Sequence, residues 1–182
     1  MKKFFYFLLL SATLGLGSCA SVGVNSSSRS ADAPEAISKV FIVSNSKGRA
    51  ELYYTRLVHQ LGIMLQAKGI QTEVFIVTPN NQAVFDELLA AYVPCHTLSI
   101  SESGNEFKHD ELTITEKTKL DIVLQKAGDN KILWRSEIGV SSGGAWGLGS
   151  TETGVGGKLT AQKIVATMQA EGIVPKEALV KK

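Results

Sequence analysis

Between residues 40 and 100, short β-rich apolar runs alternate with one-faced helical patterns, and this alternation is the strongest constraint on the fold. Val40, Phe41, Ile42 and Val43 form an unbroken apolar run ended by the polar Ser44, Asn45, Ser46, Lys47 and Gly48, which reads as a buried strand and a turn. Tyr54, Leu57, Val58, Leu61, Met64 and Leu65 then recur at helical spacing and stop at Lys68 and Gly69. Residues 70–77 are β-rich, and Val84, Leu88, Leu89 and Tyr92 mark a second helical face with Pro94 beyond it. Residues 96–100 make a third strand, followed by a polar stretch over residues 101–110 that reads as a loop. Strand, helix, strand, helix, strand in this order implies right-handed crossovers and parallel pairing.

The pattern changes further on. Leu120, Ile122 and Leu124 alternate, residues 127–130 supply a turn, and Ile132, Trp134, Ile138 and Val140 continue beyond it, which predicts an antiparallel β-hairpin. A glycine-rich stretch over residues 143–157 precedes a last helix, marked by Leu159, Ile164, Val165 and Met168 and closed by Gly172 and Ile173 in the manner of a Schellman stop. The expected fold is α/β: a mixed sheet of about five strands, βαβαβ followed by the hairpin and a C-terminal helix, with helices packed against the sheet over residues 38–175. Hydrophobic residues at 44% and charged residues at 20% provide for a packed core at this length of 182 residues.

The first residues carry an address. Lys2 and Lys3 precede a wholly apolar run at residues 4–10, after which Ser11, Ala12, Gly15, Gly17 and Ser18 take over, the order of a signal peptide over residues 1–18. The run over residues 4–18 is too short for a permanent span, which needs about 20 residues. Leu16, Gly17, Ser18 and Cys19 resemble the lipobox of bacterial lipoproteins, an aliphatic and two small residues before an acceptor cysteine. The resemblance implies cleavage before Cys19, diacylglycerol on its sulfur and often an acyl chain on the new amino group; more than one chain is needed for stable anchoring. An ordinary secretory signal that happens to contain a cysteine is the competing reading. Ala20 and Ser21 follow the cysteine in place of an aspartate, which favours the periplasmic side of the outer membrane. Residues 19–37, with the serine-rich run at 26–30, read as a lipidated N-terminus and flexible tether, and residues 176–182 as a tail.

Without Lys2 and Lys3 the chain holds 17 basic against 17 acidic side chains, so nucleic acid is not an expected partner. If Cys19 becomes a thioether, Cys95 has no partner in the chain and is either buried or paired with another molecule.

Residues 120–135, with a Gly-Asp-Asn turn and a return strand bearing Leu133 and Trp134, resemble the hairpin of small envelope lipoproteins related to the curli-secretion and TolB amino-terminal α/β domains, and the closing helix with Gly172 fits as well. The resemblance covers about residues 39–174 and implies assembly, transport scaffolding or protein contact at the envelope. The glycine-rich insert departs from that pattern.

Few residues suggest chemistry. Ser44, Lys47, Gly48 and Arg49 lie between the first strand and first helix, where backbone N–H groups and a helix dipole can hold an anion, yet the Gly-x-Gly-x-x-Gly pattern is missing and a solvated turn is the simpler reading. Residues 154–158 fail as a P-loop because Glu152 stands where its first glycine belongs and Leu159 follows Lys158. Trp146 is either an exposed contact or tucked into the core. His59, His96, His109 and Cys95 lack metal-ligand spacing, Cys95 reads as a buried structural thiol, and Glu102, Glu106, Asp110 and Glu111 read as a solvated loop. No catalytic residue, metal or cofactor is expected. The expected function is a non-enzymatic binding or assembly component of the envelope, held to the membrane through lipid on Cys19 and contacting an envelope protein. The alternative is an anionic-ligand or nucleotide-binding domain, or a weak hydrolase, using the loop at Ser44, Lys47, Gly48 and Arg49.

Overall fold

A computed structural model describes residues 19–45, 51–78, 80–92, 96–110, 113–128, 131–145 and 156–177. In chain order the elements are β1 (Cys19–Arg29), β2 (Lys39–Asn45), α1 (Glu51–Gln66), β3 (Gln71–Val77), α2 (Gln82–Tyr92), β4 (His96–His109), β5 (Thr113–Lys126), β6 (Ile132–Ala145) and α3 (Gly157–Ala170). The strands form one mixed sheet in the order β1-β6-β5-β4-β2-β3. Strands β3, β2 and β4 are parallel; β4, β5, β6 and β1 follow one another antiparallel.

The central parallel strand β2 explains its unbroken apolar run, because both of its faces are covered. Val40 and Ile42 enter the main core beneath α1, together with Tyr53, Leu57, Leu61 and Leu65. Phe41 points the other way, with its ring 5.9 Å from Phe85 and 5.5 Å from Tyr92 of α2. Crossovers of opposite direction, outward to β3 and back across to β4, put α1 and α2 on opposite faces.

Helix α3 joins α1 over the same face, and Gly157 allows the close approach. A Cβ there would lie 3.1 Å from the Tyr53 carbonyl oxygen and 3.2 Å from the Leu57 nitrogen. Both α1 and α3 stop where the sequence punctuates them. Gly69 and Gly172 have φ of 81° and 72°, and the N–H groups of Ile70 and Ile173 reach back to the carbonyls of Leu65 and Met168 at 3.1 and 2.9 Å. These are Schellman closures with a buried residue after each glycine.

The structure corrects several sequence expectations. The sheet has six strands, and the sixth lies in the segment expected to be a flexible tether: β1 occupies Cys19–Arg29 and pairs with β6 along its length, from Cys19 opposite Gly143 to Arg29 opposite Trp134. Serine-rich composition hid it, since only Val22 and Val24 turn apolar side chains inward, but the open edge of β6 supplies the backbone partner that composition cannot reveal. The polar stretch expected as a loop after residue 100 continues β4 as far as His109, so Glu102 and Glu106 are strand residues. Its partner β5 begins at Thr113, well before the alternation at Leu120. Helix α2 turns Phe85 and Tyr92 inward, whereas Val84 and Leu88 are exposed. In β6 a register shift at Leu124/Gln125 leaves Ile132 exposed and buries Leu133 beside Trp134. Leu159, expected on the buried face of α3, is 45% exposed.

Candidate functional site

Of the residues read as an anion loop, Ser44 is described: it closes β2, is fully buried, and its Oγ has no hydrogen-bond partner among the described residues. Burial removes it from a ligand in solution. Lys47, Gly48 and Arg49 lie outside the described residues, as do Cys95, Trp146 and residues 1–18. Cys19, the residue read from the sequence as a lipid acceptor, begins β1 and so sits on the sheet itself.

Around the carboxyl end of β2 the helix-covered face of the sheet becomes polar. Ile114, Glu116, Thr118 and Leu120 share one face of β5 by strand alternation, and Glu116, Thr118 and Ser142 are all buried there. Asn105 donates its amide to Glu116 at 2.9 Å, and the Tyr54 hydroxyl donates to Glu102 at 3.4 Å. Thr160 donates to the Gly156 carbonyl at 3.0 Å, so the Tyr53 hydroxyl, 2.9 Å from the same Oγ1, donates to Thr160. Burial pushes both tyrosines well above the ordinary phenol range, and the nearby carboxylates, Glu116 for Tyr53 and Glu102 for Tyr54, push in the same direction. Both rings remain neutral hydrogen-bond donors, which suits structural links between α1, α3 and the sheet rather than proton transfer near neutrality.

A raised folded-state value also fixes a pH dependence. The unfolded chain loses these phenolic protons near pH 10 while the folded chain holds them, so their contribution to stability is complete below about pH 10 and is lost as pH rises further. Absorbance titration at 295 nm is expected to show Tyr53 and Tyr54 ionising only with unfolding; ionisation near pH 10 in the folded protein would contradict their burial.

A groove of about 420 Å³ lies at the opposite end of the parallel strands, lined by Lys39, Gln66, Ile70, Gln71, Thr72 and Tyr92. Ligands of open α/β sheets favour the carboxyl ends of the strands, and the ammonium of Lys39 is already taken up, 2.6 Å from the Tyr92 carbonyl and 4.1 Å over its ring. His96 opens β4 and His109 closes it, so these two imidazoles stand at opposite ends of a 14-residue strand. Burial lowers the pKa of His96. Among the described residues no three His, Cys, Asp or Glu side chains gather as a metal site, and no helix is long and apolar enough to cross a membrane.

A second surface is defined by register. Cys19 pairs with Gly143, Gly143 with Thr115, and Thr115 with Lys108, so the start of β1 is level with the outer part of the β4–β5 hairpin. Gly156, just before α3, lies against Ala20: a Cβ there would stand 3.4 Å from the Ala20 Cβ. The first turns of α1 and α3, the start of β1 and the hairpin therefore share one end of the domain. Leu52, Phe107 and Leu159, exposed by 45%, 47% and 45%, belong to this end. Sequence reading missed it, because Phe107 stood in a presumed loop and Leu159 on a presumed core face.

The fold is a six-stranded mixed α/β sheet covered by α1 and α3 on one face and by α2 on the other over β2 and β3. No protein-family model and no curated protein matches the sequence. Among solved structures the chain is similar to the PelC dodecamer from Paraburkholderia phytofirmans, with 13% identity, 87% of this chain and 100% of that one covered, and a TM-score of 0.45. It is also similar to lipoprotein GNA1162 from Neisseria meningitidis (12% identity, 73% and 99% covered, TM-score 0.43) and to a minor lipoprotein from Acinetobacter baumannii (13%, 72% and 93%, 0.41). Bacterial lipoproteins are thus among the structures it is similar to. Likeness at this level carries no argument about activity or partners.

Proposed function

We propose that this protein is a lipoprotein of the bacterial envelope, anchored through acyl chains on Cys19 and acting as a non-enzymatic binding or assembly component. The observation that carries the reading is the run Leu16, Gly17, Ser18, Cys19 behind a cationic start and an apolar stretch. The location of Cys19 at the head of a sheet strand is compatible with it, since cleavage before residue 19 leaves β1 whole. The polar cluster around Tyr53, Tyr54, Glu102 and Glu116 is tied up in links between elements, which favours a scaffold over a catalyst. The favoured address is the periplasmic side of the outer membrane, with an envelope protein as partner.

The test is Cys19→Ser in cells. The parent chain is expected in the membrane fraction, with an amino-terminal peptide whose mass includes acyl chains; C19S is expected to accumulate unprocessed, without that mass. Processing of C19S at the same bond, or a parent chain without acyl mass, would refute the anchor. Crosslinking in intact cells followed by purification is expected to recover one specific envelope protein; repeated recovery of none would refute the binding role.

A further inference from the structure

We propose that the Cys19 end of the domain is a bilayer-contacting surface, in which Phe107 of the β4–β5 hairpin, with Leu52 and Leu159 beside it, enters the lipid interface. The proposal rests on the lipid anchor argued above and adds an orientation to it. The supporting observation is that residues 19–29 are strand rather than tether. Because β1 begins at Cys19 and is paired from its first residue, the acyl chains would leave directly from the sheet. The surface level with that position is then held against the headgroups.

The register gives the depth. Lys108 and Thr115 are level with Cys19, and the hairpin continues past them through His109 and Ile114 to Thr113, paired with Ala145. Two further residues at the strand rise of about 3.3 Å carry the tip roughly 7 Å beyond the anchor point, while Phe107, opposite Glu116, stands one residue short of that point, at the headgroup edge of the layer about 5–10 Å deep in which interfacial apolar groups settle. Phe107 pairs with Glu116 and so shares the sheet face covered by α1 and α3. Leu52 and Leu159, in the first turns of those helices, are exposed at the same end of the domain. Glu106, Lys108, His109 and Asp110 are exposed around Phe107 with both signs of charge, as suits a zwitterionic headgroup layer. Exposed apolar residues at the far end, such as Ile132 at the start of β6, stand roughly 35 Å away along the strand, out of reach of that layer.

The test uses the full acylated chain in vesicles of phosphatidylethanolamine and phosphatidylglycerol whose acyl chains are brominated, which quench tryptophan on contact. Phe107→Trp and Leu159→Trp are compared with Ile132→Trp, each read as the difference from the parent chain so that Trp134 and Trp146 cancel. Expected is quenching of F107W several-fold greater than that of I132W, with a blue-shifted emission. L159W gives the same reading if F107W does not fold. Acyl mass on Cys19 with equal quenching at both ends would overturn the orientation and leave the anchor standing. Emission of F107W that is blue-shifted but unquenched would place a second copy over the patch and overturn it as well. Absence of acyl mass on Cys19 would refute the anchor and the orientation with it.

Discussion

Deletion of residues 20–30, joining Cys19 to Ala31, is expected to abolish cooperative folding of the domain, although this is the segment whose composition looks most dispensable. Strand β1 is hydrogen-bonded to β6 from Cys19 to Arg29, with one irregularity between Val24 and Ser26. Its loss opens the backbone of β6 and removes Val22 and Val24 from the core edge. It also takes away the Ser26 carbonyl that receives the buried Ser136 hydroxyl at 2.9 Å. Arg29 goes too, with its donations to the Glu171 carbonyl at 2.7 Å and to the Ala33 carbonyl at 3.2 Å. Each hydrogen bond contributes about 0.5–1.5 kcal/mol net, and losing the whole β1–β6 ladder together with these side-chain bonds reaches the scale of a whole domain's stability, about 5–15 kcal/mol. Thermal unfolding followed by circular dichroism is the measurement: the deleted chain should show no sigmoidal transition, or a midpoint lowered by tens of degrees. An unchanged midpoint would mean that the segment is a tether after all.

That deletion also marks the boundary of what the sequence discloses. The alternation of β2, α1 and β3 was legible because their apolar patterns match what they bury, whereas α2 was legible as a helix but not by its face, and the closures at Gly69 and Gly172 because the backbone there requires φ of 81° and 72°. The hairpin of β5 and β6 was legible from Leu120 onward, where Leu120, Ile122 and Leu124 go to the core. What escaped were the segments whose strand character comes from a neighbour. In β1, Ser26, Ser27 and Ser28 hold strand conformation because β6 offers them a ladder, and in the outer β4–β5 hairpin Asn105 and Lys108 do so because Thr118 and Thr115 stand opposite. Backbone pairing of this kind is blind to side-chain pattern. The site followed the same rule. The proposed anchor at Cys19 rests on local grammar alone, while the surface around it needed the register that brings residues 19, 108, 115 and 143 into one row.

Replacement of Trp134 by alanine is the other change expected to be severe, because this side chain joins three parts of the fold at once. Trp134 is fully buried, the largest side chain in the core, opposite Leu124 on one side and Arg29 on the other. Its indole N–H donates to Ser27 Oγ at 3.1 Å, and that hydroxyl in turn donates to the Glu171 carboxylate at the end of α3. Truncation to alanine leaves a cavity and strips the link, a cost of about 3–5 kcal/mol. At about 2–4 °C per kcal/mol for a chain of this size, the midpoint should fall by roughly 6–20 °C. Trp134→Phe separates the two contributions: it keeps most of the volume and loses the donor, so about 1 kcal/mol is expected from the hydrogen bond alone. Differential scanning calorimetry of both variants measures this without relying on indole fluorescence. If W134A melted within a degree or two of the parent, the indole would not be holding β1 and the end of α3 to the sheet.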